Sequence, residues 1–478
     1  HMECPPTVLG ANIAKSPLLI RRWRRLPLAT RIRPLLRNFI PRNGGKKSPL
    51  PEGAFPVPIS IRDVQTSGKA PAVGKAELPA RGYKKFTKIF VIFLTIRRAY
   101  ITITMNEKNG RFLRPGGGFY MAKFRKIGIL TSGGDAPGMN AAIRAITRKA
   151  LDEGVEVMGI LGGYSGLIKD RIIPLTPRSV SNIIERGGTM LYSDRCAEFK
   201  TEAGMQKAIA TCRKHQIDAI VAIGGDGTFR GATDLTNRGI PTIGLPGTID
   251  NDITATDYTI GFDSAMNTSL TMIDCLRDTC ESHARCDVVE VMGRDCGQIA
   301  LNTALAAGAV AAVIPEIPFD EAEAISRIRS LVAAGKRGFL VIVSEGVLTP
   351  DGQKYSEVLA KKIEAETGVE TKFARFAHVV RGGTPTLRDR YTATVMGVRA
   401  VELLLEGKSN VVMCEIDGKI RDVDINYALI ADRTYKNKLK PGDLDRFTPA
   451  QVEAMQALAA QRRAELATVY KMVGETSK

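Results

Sequence analysis

Two carboxylates and a hydroxyl stand within five residues of one another in Pro246-Gly247-Thr248-Ile249-Asp250-Asn251-Asp252, on a loop that follows an apolar run. In an extended segment alternate side chains share a side, so Thr248, Asp250 and Asp252 are expected to face one way and Ile249 the other. One Asp would then accept a proton from an attacking hydroxyl, work that typically contributes about 10²- to 10⁴-fold, while the second supports a metal or the loop. Upstream, the apolar run 217–223 leads into Gly224-Gly225-Asp226-Gly227-Thr228. There glycines permit close backbone approach of a phosphate, and Asp226 offers one carboxylate to a divalent cation such as Mg²⁺. Thr131-Ser132-Gly133-Gly134-Asp135 presents backbone N–H groups at a strand-to-helix turn, a favourable place for an anion. Val291-Met292-Gly293-Arg294 adds a cation after a third strand, able to offset charge developing on a transferring phosphoryl. Each motif has a bland alternative: Gly-rich turns often hold nothing, paired Asp residues form turns, and a lone Arg is commonly a surface ion pair. Together they point to phosphoryl transfer.

The elements that must position these loops repeat a pattern of short apolar strand, Gly-rich turn and amphipathic helix. Strands are expected at 127–130, 155–160, 217–223, 287–291, 313–314 and 338–343, and helices at about 139–153, 297–308 and 321–334. Such alternation predicts βαβ units with parallel sheets, and ligands in such sheets bind beyond the carboxyl ends of the strands, where every motif loop lies. The chain is therefore expected to be α/β, with two doubly wound domains and a mainly parallel sheet in each. At the end, Thr448 followed by Pro449 predicts a capped helix to about residue 472, read as a packing or interface element.

Charge divides the chain unevenly. Residues 1–122 hold 23 Lys and Arg against 5 Asp and Glu, which accounts for the whole net charge of +18, while residues 123–478 carry 45 of each sign. A high overall pI suggests nucleic-acid or membrane partners, yet here it belongs only to the N-terminal extension and the body is neutral. That extension, residues 1–122, is basic and Pro-rich and is expected to be disordered. Its apolar run 89–96 is too short for a bilayer, which takes about 20 residues. It reads as a translated upstream or vector-derived segment, in preference to a sorting sequence or an arm for acidic partners, with Met121 placed to start the body. Eight cysteines without a Cys-x-x-Cys pair, and four His, argue against structural zinc and for free thiols in the cytoplasm.

The four motifs, taken in their order along the chain from Thr131 to Arg294 and together with Asn140 after Ala136-Pro137-Gly138-Met139, make residues 123 to about 440 resemble the 6-phosphofructokinases. The resemblance implies a lobe for nucleotide built from 123–261 with about 380–430, and a sugar-phosphate lobe built from 262–379 with about 431–478, the tail helix included. It implies Mg²⁺ and transfer of the γ-phosphoryl of ATP to the 1-hydroxyl of fructose 6-phosphate, a glycolytic step. Asp250 then matches the catalytic base and Asp226 the magnesium position, while Gly134, Thr248 and Arg294 match groups around the transferring phosphoryl. Gly134, Tyr164, Arg195, Cys196, Gly225, Asp226, Gly227 and Thr228 match nucleotide positions. Thr248, Asp250, Met292, Gly293, Arg294, Glu345, His378 and Arg381 match sugar-phosphate positions, with Arg285 and Lys372 reaching across from a neighbouring subunit of a homotetramer.

In the pyrophosphate-dependent relatives Asp commonly stands at position 227 and Lys at 247; both are Gly here, which favours ATP, with pyrophosphate the alternative donor. NAD kinases and lipid kinases share the Gly-Gly-Asp-Gly-Thr turn but not the remaining motifs, and an intact Asp250 argues against a non-catalytic regulatory member. Lys372 stands where an Arg is usual, losing the bidentate fork, with Arg375 a candidate to help. Arg144, Arg148, Arg277 and Lys336 match basic effector positions, whereas Pro177, Val310 and Ala334 replace charged ones, so activation by Mg-ADP is expected to be weak or absent.

Overall fold

In a computed structural model of the protein, residues 124–477 are described throughout, together with the backbone of 89–96, 99–106 and 111–113. The chain divides into two compact units, His1–Gly116 and Gly117–Lys478. In the first, β1 (Ile89–Ile96), β2 (Ala99–Asn106) and β3 (Arg111–Leu113) form an antiparallel sheet in that order. The β-branched and aromatic runs of β1 and β2 favour strands, where the composition of the extension suggested disorder. The rest of that expectation, and the readings of what the extension is for, lie outside the described residues.

The second unit runs β4 (Lys126–Ser132), α1 (Met139–Asp152), β5 (Glu156–Ile160), α2 (Gly163–Ile168), β6 (Ile172–Leu175), α3 (Glu202–Lys214), β7 (Ala219–Gly224), α4 (Asp226–Asn237) and β8 (Thr242–Pro246). It continues through α5 (Phe262–His283), β9 (Cys286–Val291), α6 (Gln298–Ala307), β10 (Ala311–Val313), α7 (Glu321–Ala333), β11 (Phe339–Ser344), α8 (Tyr355–Thr367) and β12 (Thr371–Arg375). The last elements are α9 (Leu387–Leu405), β13 (Val411–Ile416), β14 (Lys419–Asp424), α10 (Ile425–Tyr435) and α11 (Pro449–Thr476).

Two sheets result. The larger has the order β14-β13-β8-β7-β4-β5-β6, parallel through its centre with an antiparallel strand at each edge. The smaller, β10-β11-β9-β12, is parallel throughout. Parallel strands are covered on both faces, and β7 shows it: Ala219, Val221 and Ile223 enter the core shared with the smaller sheet, while Ile220 and Ala222 pack into a second core on the far side. The shared core takes in Val289, Val291, Leu340 and Ile342 of the smaller sheet, with Leu466 and Val473 of α11. Buried Asp389, on α9, accepts hydrogen bonds from Gly261 N, Ser264 N, Ser264 Oγ and the Tyr258 hydroxyl at the start of α5. It thus caps α5 and pins it to the larger sheet, and an unpaired carboxylate there would be costly.

The predicted strands and helices of the body are present within a residue or two. Thr448 caps α11 in a capping box with Gln451, and the helix extends past the predicted end to Thr476. The β13–β14 hairpin was not predicted, although Asp417-Gly418 at its turn is a strong hairpin signal. Among the described residues no helix is long and apolar enough to cross a membrane.

Candidate active site

The carboxyl ends of both sheets open onto one cavity of about 700 Å³. Of the residues singled out in the sequence, Gly134, Arg195, Met292, Arg294, Glu345, His378 and Arg381 line it. Gly134 follows β4, where the chain turns into α1; a Cβ there would stand 2.7 Å from Arg381 Nη1, so glycine is what lets the guanidinium lie against the turn. Arg381 Nη1 donates to the Asp135 carbonyl at 3.2 Å, holding a loop of one sheet to a loop of the other. Met292-Gly293-Arg294 follows β9; Gly293 N and Arg294 N donate to Glu345 Oε1, 3.3 and 2.9 Å away, so Glu345 shapes the turn that presents Arg294. His378 and Arg381 share a short 3₁₀ turn, Ala377–Arg381, after β12.

Asp250 does not itself line this cavity; it lies behind Arg294, which does, 1 % exposed and with Oδ2 3.7 Å from Arg294 Nη2. Neither carboxylate oxygen has a hydrogen-bond partner among the described residues. An unpaired buried carboxylate is costly to a fold, and such groups gather where chemistry needs them. Burial is the main reason its pKa is pushed up to about 6, with the negative charge of Asp252 adding to the rise while Arg381 and Arg294 oppose it. That value suits a base working near neutral pH. Thr248 Oγ accepts from Asp250 N at 3.2 Å and fixes the turn.

The second aspartate does not share that side. Asn251 adopts a left-handed φ of 50°, so the loop is not extended there, and Asp252 turns to Lys436, 3.5 Å away. The expected alternation fails because a turn residue interrupts it.

Gly225 caps α4, and Asp226, Gly227 and Thr228 form its first turn beside the cavity loops. Thr228 Oγ donates to Ser132 O at 3.0 Å, tying this turn to the end of β4. Asp226 is paired with Arg230 one helical turn on, and it is the carboxylate placed where α4 begins. Among the described residues no three His, Cys, Asp or Glu side chains gather in a metal-binding group. Tyr164 is not a cavity residue: it is buried, its hydroxyl donates to Thr228 O at 2.6 Å, and its ring stacks on Phe199 at 4.2 Å. It supports the α4 turn from beneath. Cys196 is half-buried against the same core.

Thr189, Tyr192 and Ser193 also line the cavity and escaped the sequence reading, because their loop carries no motif of its own. Asn140 orders it, donating to Arg186 O at 3.0 Å and accepting from Met190 N at 2.7 Å, and Thr131 Oγ donates to Tyr192 O at 2.7 Å.

Arg285 and Lys372 stand elsewhere. Arg285 precedes β9 and Lys372 is the second residue of β12, at the amino ends of their strands, so a strand length, roughly 20 Å, separates them from Arg294. Both pair with Glu370, at 2.7 Å each. Arg375 cannot stand in for Lys372: three residues on along β12 it points to the other face, where Glu290 and Glu357 hold it at 2.8 and 2.7 Å. Of the effector candidates, Arg277 and Lys336 line a cavity of about 430 Å³ with Arg337, and both already donate to backbone oxygens, of Ala307 and Ser477. Arg144 and Arg148 lie on α1 and are not part of that lining.

A family model described as phosphofructokinase matches residues 126–404. ATP-dependent 6-phosphofructokinase 1 of Clostridium perfringens is 49% identical over 315 residues, 66% of this chain and 97% of that protein. Among solved structures, phosphofructokinase from Saccharomyces cerevisiae superposes with a TM-score of 0.64 at 30% identity over 73% of this chain. Phosphofructokinase of Pichia pastoris in the T-state does so with a TM-score of 0.65 at 32% identity over 79% of it. The chain spans about half the length of these two yeast structures, 49% and 43%. Because the family match begins with β4, ends in α9 and passes through every loop that meets at the cavity, this chain belongs to the phosphofructokinase family.

Proposed function

We propose that the chain transfers the γ-phosphoryl of ATP to the 1-hydroxyl of fructose 6-phosphate, giving fructose 1,6-bisphosphate and ADP. The observation that carries this reading is Asp250, a buried carboxylate with two unbonded oxygens beside the Arg294 guanidinium, in a chain about half identical to ATP-dependent 6-phosphofructokinases. In this reading Asp250 accepts the proton of the 1-hydroxyl as its oxygen attacks phosphorus. The guanidinium of Arg294 and the Gly134 N–H stabilise the charge gathering on the phosphoryl oxygens. Thr248 orients Asp250, while Met292, Gly293, Glu345, His378 and Arg381 shape the sugar-phosphate side of the cavity and Arg195 with Gly225–Thr228 the nucleotide side.

Asp226 would hold Mg²⁺, together with phosphate oxygens and water. One carboxylate at a helix start fits an ion that is commonly held through one or two carboxylates plus substrate phosphates, and that ion would supply charge neutralisation between donor phosphates. Gly227 supports ATP as donor: a Cβ there would meet nothing within 4 Å, so packing does not demand glycine and the space is open to the nucleotide. Gly247 carries less weight, since a Cβ there would stand 3.0 Å from Ile223 and 3.1 Å from Met139, and packing alone explains it. The placement of Arg285 and Lys372 at the far end of the smaller sheet supports their serving the cavity of another subunit, and hence a homotetramer. The two separate sheets of the body support the division into nucleotide and sugar-phosphate lobes. The seven described cysteines are all free, in keeping with a reducing cytoplasm.

The test is a coupled assay of fructose 1,6-bisphosphate formation from fructose 6-phosphate and Mg²⁺, run with ATP and with pyrophosphate. Turnover with ATP alone is expected. Turnover with pyrophosphate overturns the donor assignment, and none with either overturns the activity.

A further inference from the structure

A carboxylate that makes no hydrogen bond must be aimed by its backbone, and at Asp250 one side of that backbone is held from outside the loop. Lys436 follows the last turn of α10. Its ammonium donates to the backbone oxygen of Asp252 at 3.0 Å and lies 3.5 Å from the Asp252 carboxylate and 2.9 Å from that of Asp432. Asp432 in turn accepts from Thr254 N at 3.4 Å and Thr254 Oγ at 3.0 Å. Residues 252 and 254 are thus tied to α10 while the left-handed turn at Asn251 hands Asp250 to the cavity side. All three charged partners are largely buried, with side chains 22, 13 and 7 % exposed for Lys436, Asp252 and Asp432.

The other charged and titratable groups around Lys436 are Asp226 of α4, and Glu316 and Tyr435 near the end of α10. The end of α10 is itself held by α11: Arg463 donates to Thr434 O at 3.1 Å, to Tyr435 O at 2.5 Å and to Asn437 Oδ1 at 3.0 Å. Lys436 lies beyond the segment that the family model matches, residues 126–404.

We propose that Lys436 is a positioning residue for phosphoryl transfer: by clamping Asp252 through both its backbone oxygen and its carboxylate, it fixes the loop that aims Asp250 at the attacking hydroxyl. The assignment rests on the activity proposed above. Lys436 does not line the active-site cavity, so its loss is expected to act on turnover more than on binding. A shift of about 1 Å in a catalytic group costs up to roughly 10²-fold in rate.

The experiment compares the unaltered chain with Lys436→Met, Lys436→Arg and the double variant Lys436→Met with Asp432→Asn. Lys436→Met is expected to lower kcat by roughly 10- to 100-fold with both KM values within about threefold, and Lys436→Arg to recover most of the loss. Of the two carboxylates that lose the ammonium, the double variant removes the more buried, Asp432, while its amide oxygen can still accept from Thr254, so it separates neutralisation of Asp432 from clamping of Asp252. Its kcat stays low if the clamp matters and recovers if Lys436 only neutralises Asp432. Hydrogen exchange gives a readout independent of turnover: the amides of 250–254 exchange at least about tenfold faster in Lys436→Met and are protected again in Lys436→Arg. Unchanged exchange, or an unchanged kcat, overturns the role of Lys436. If the unaltered chain itself shows no turnover, the proposed activity fails, and the exchange data still decide the clamp.

Discussion

Replacing Asp250 with Asn is expected to make the protein more stable at neutral pH while nearly abolishing turnover, and the two effects share one cause. Burial raises the carboxyl from its ordinary value of 3.8 to about 6, chiefly because charged oxygens without partners are held out of water. The folded state therefore binds this proton more tightly than the unfolded state does. Stability from this group is fully present below the unfolded pKa and is lost as pH rises through the folded one, so the window is about pH 4 to 6. At about 1.36 kcal/mol per unit, and allowing for partial protonation of the unfolded chain at pH 4, the loss between pH 4 and 7.5 is about 2.5 kcal/mol. The Asn variant lacks that loss.

Urea denaturation of both proteins at fixed chain concentration, at pH 4 and at pH 7.5, gives the quantity needed. The stability of the variant relative to the parent should move in its favour by about 2.5 kcal/mol between the two pH values, and any cost peculiar to the amide cancels in that difference. The turnover of the variant should fall by about 10²- to 10⁴-fold with both substrates still bound, since a base acts mainly in the transition state. A relative stability that does not change with pH would refute the reasoning, because it would mean that Asp250 ionises in the folded protein as it does in water.

Four further outcomes follow from the same geometry. In the unaltered chain kcat/KM should decline below about pH 6 as Asp250 is protonated, and a profile flat to pH 5 would count against it as the base. Gly227→Asp should leave stability within about 0.5 kcal/mol, since no atom stands within 4 Å of the new Cβ, while turnover with ATP falls; loss of the fold would show that the space is not open. Tyr164→Phe leaves Thr228 O without its hydroxyl donor and should cost about 1 to 3 kcal/mol in denaturation with only a small change in the KM for ATP, whereas a large KM effect would return Tyr164 to the nucleotide site. ADP at fixed ATP should not lower the half-saturation for fructose 6-phosphate several-fold, because Arg277 and Lys336 are already engaged by backbone oxygens and Val310 and Ala334 carry no charge.

By itself the sequence determined the βαβ pattern, the strands that end in motif loops with several of the helices between them, and the loops that carry the chemistry. The physical reason is that these are local properties. A parallel strand buried on both faces reads as an apolar run, a helix shows its period, and a loop that must approach a phosphate shows its glycines. Asp250, Arg294 and Gly134 were legible for that reason. What tertiary structure decided is which groups meet. Asn251 reverses the direction of Asp252; Asn tolerates the left-handed region better than most residues, but the residue type permits that turn without requiring it. Tyr164 lies beneath α4 because its hydroxyl finds a carbonyl 64 residues away, and Arg375 is held by two carboxylates from other elements. Lys436 carries no motif and reaches the catalytic loop across 184 residues of chain. Such contacts depend on how sheets and helices pack, and packing relates residues by distance in space, which spacing along the chain does not record.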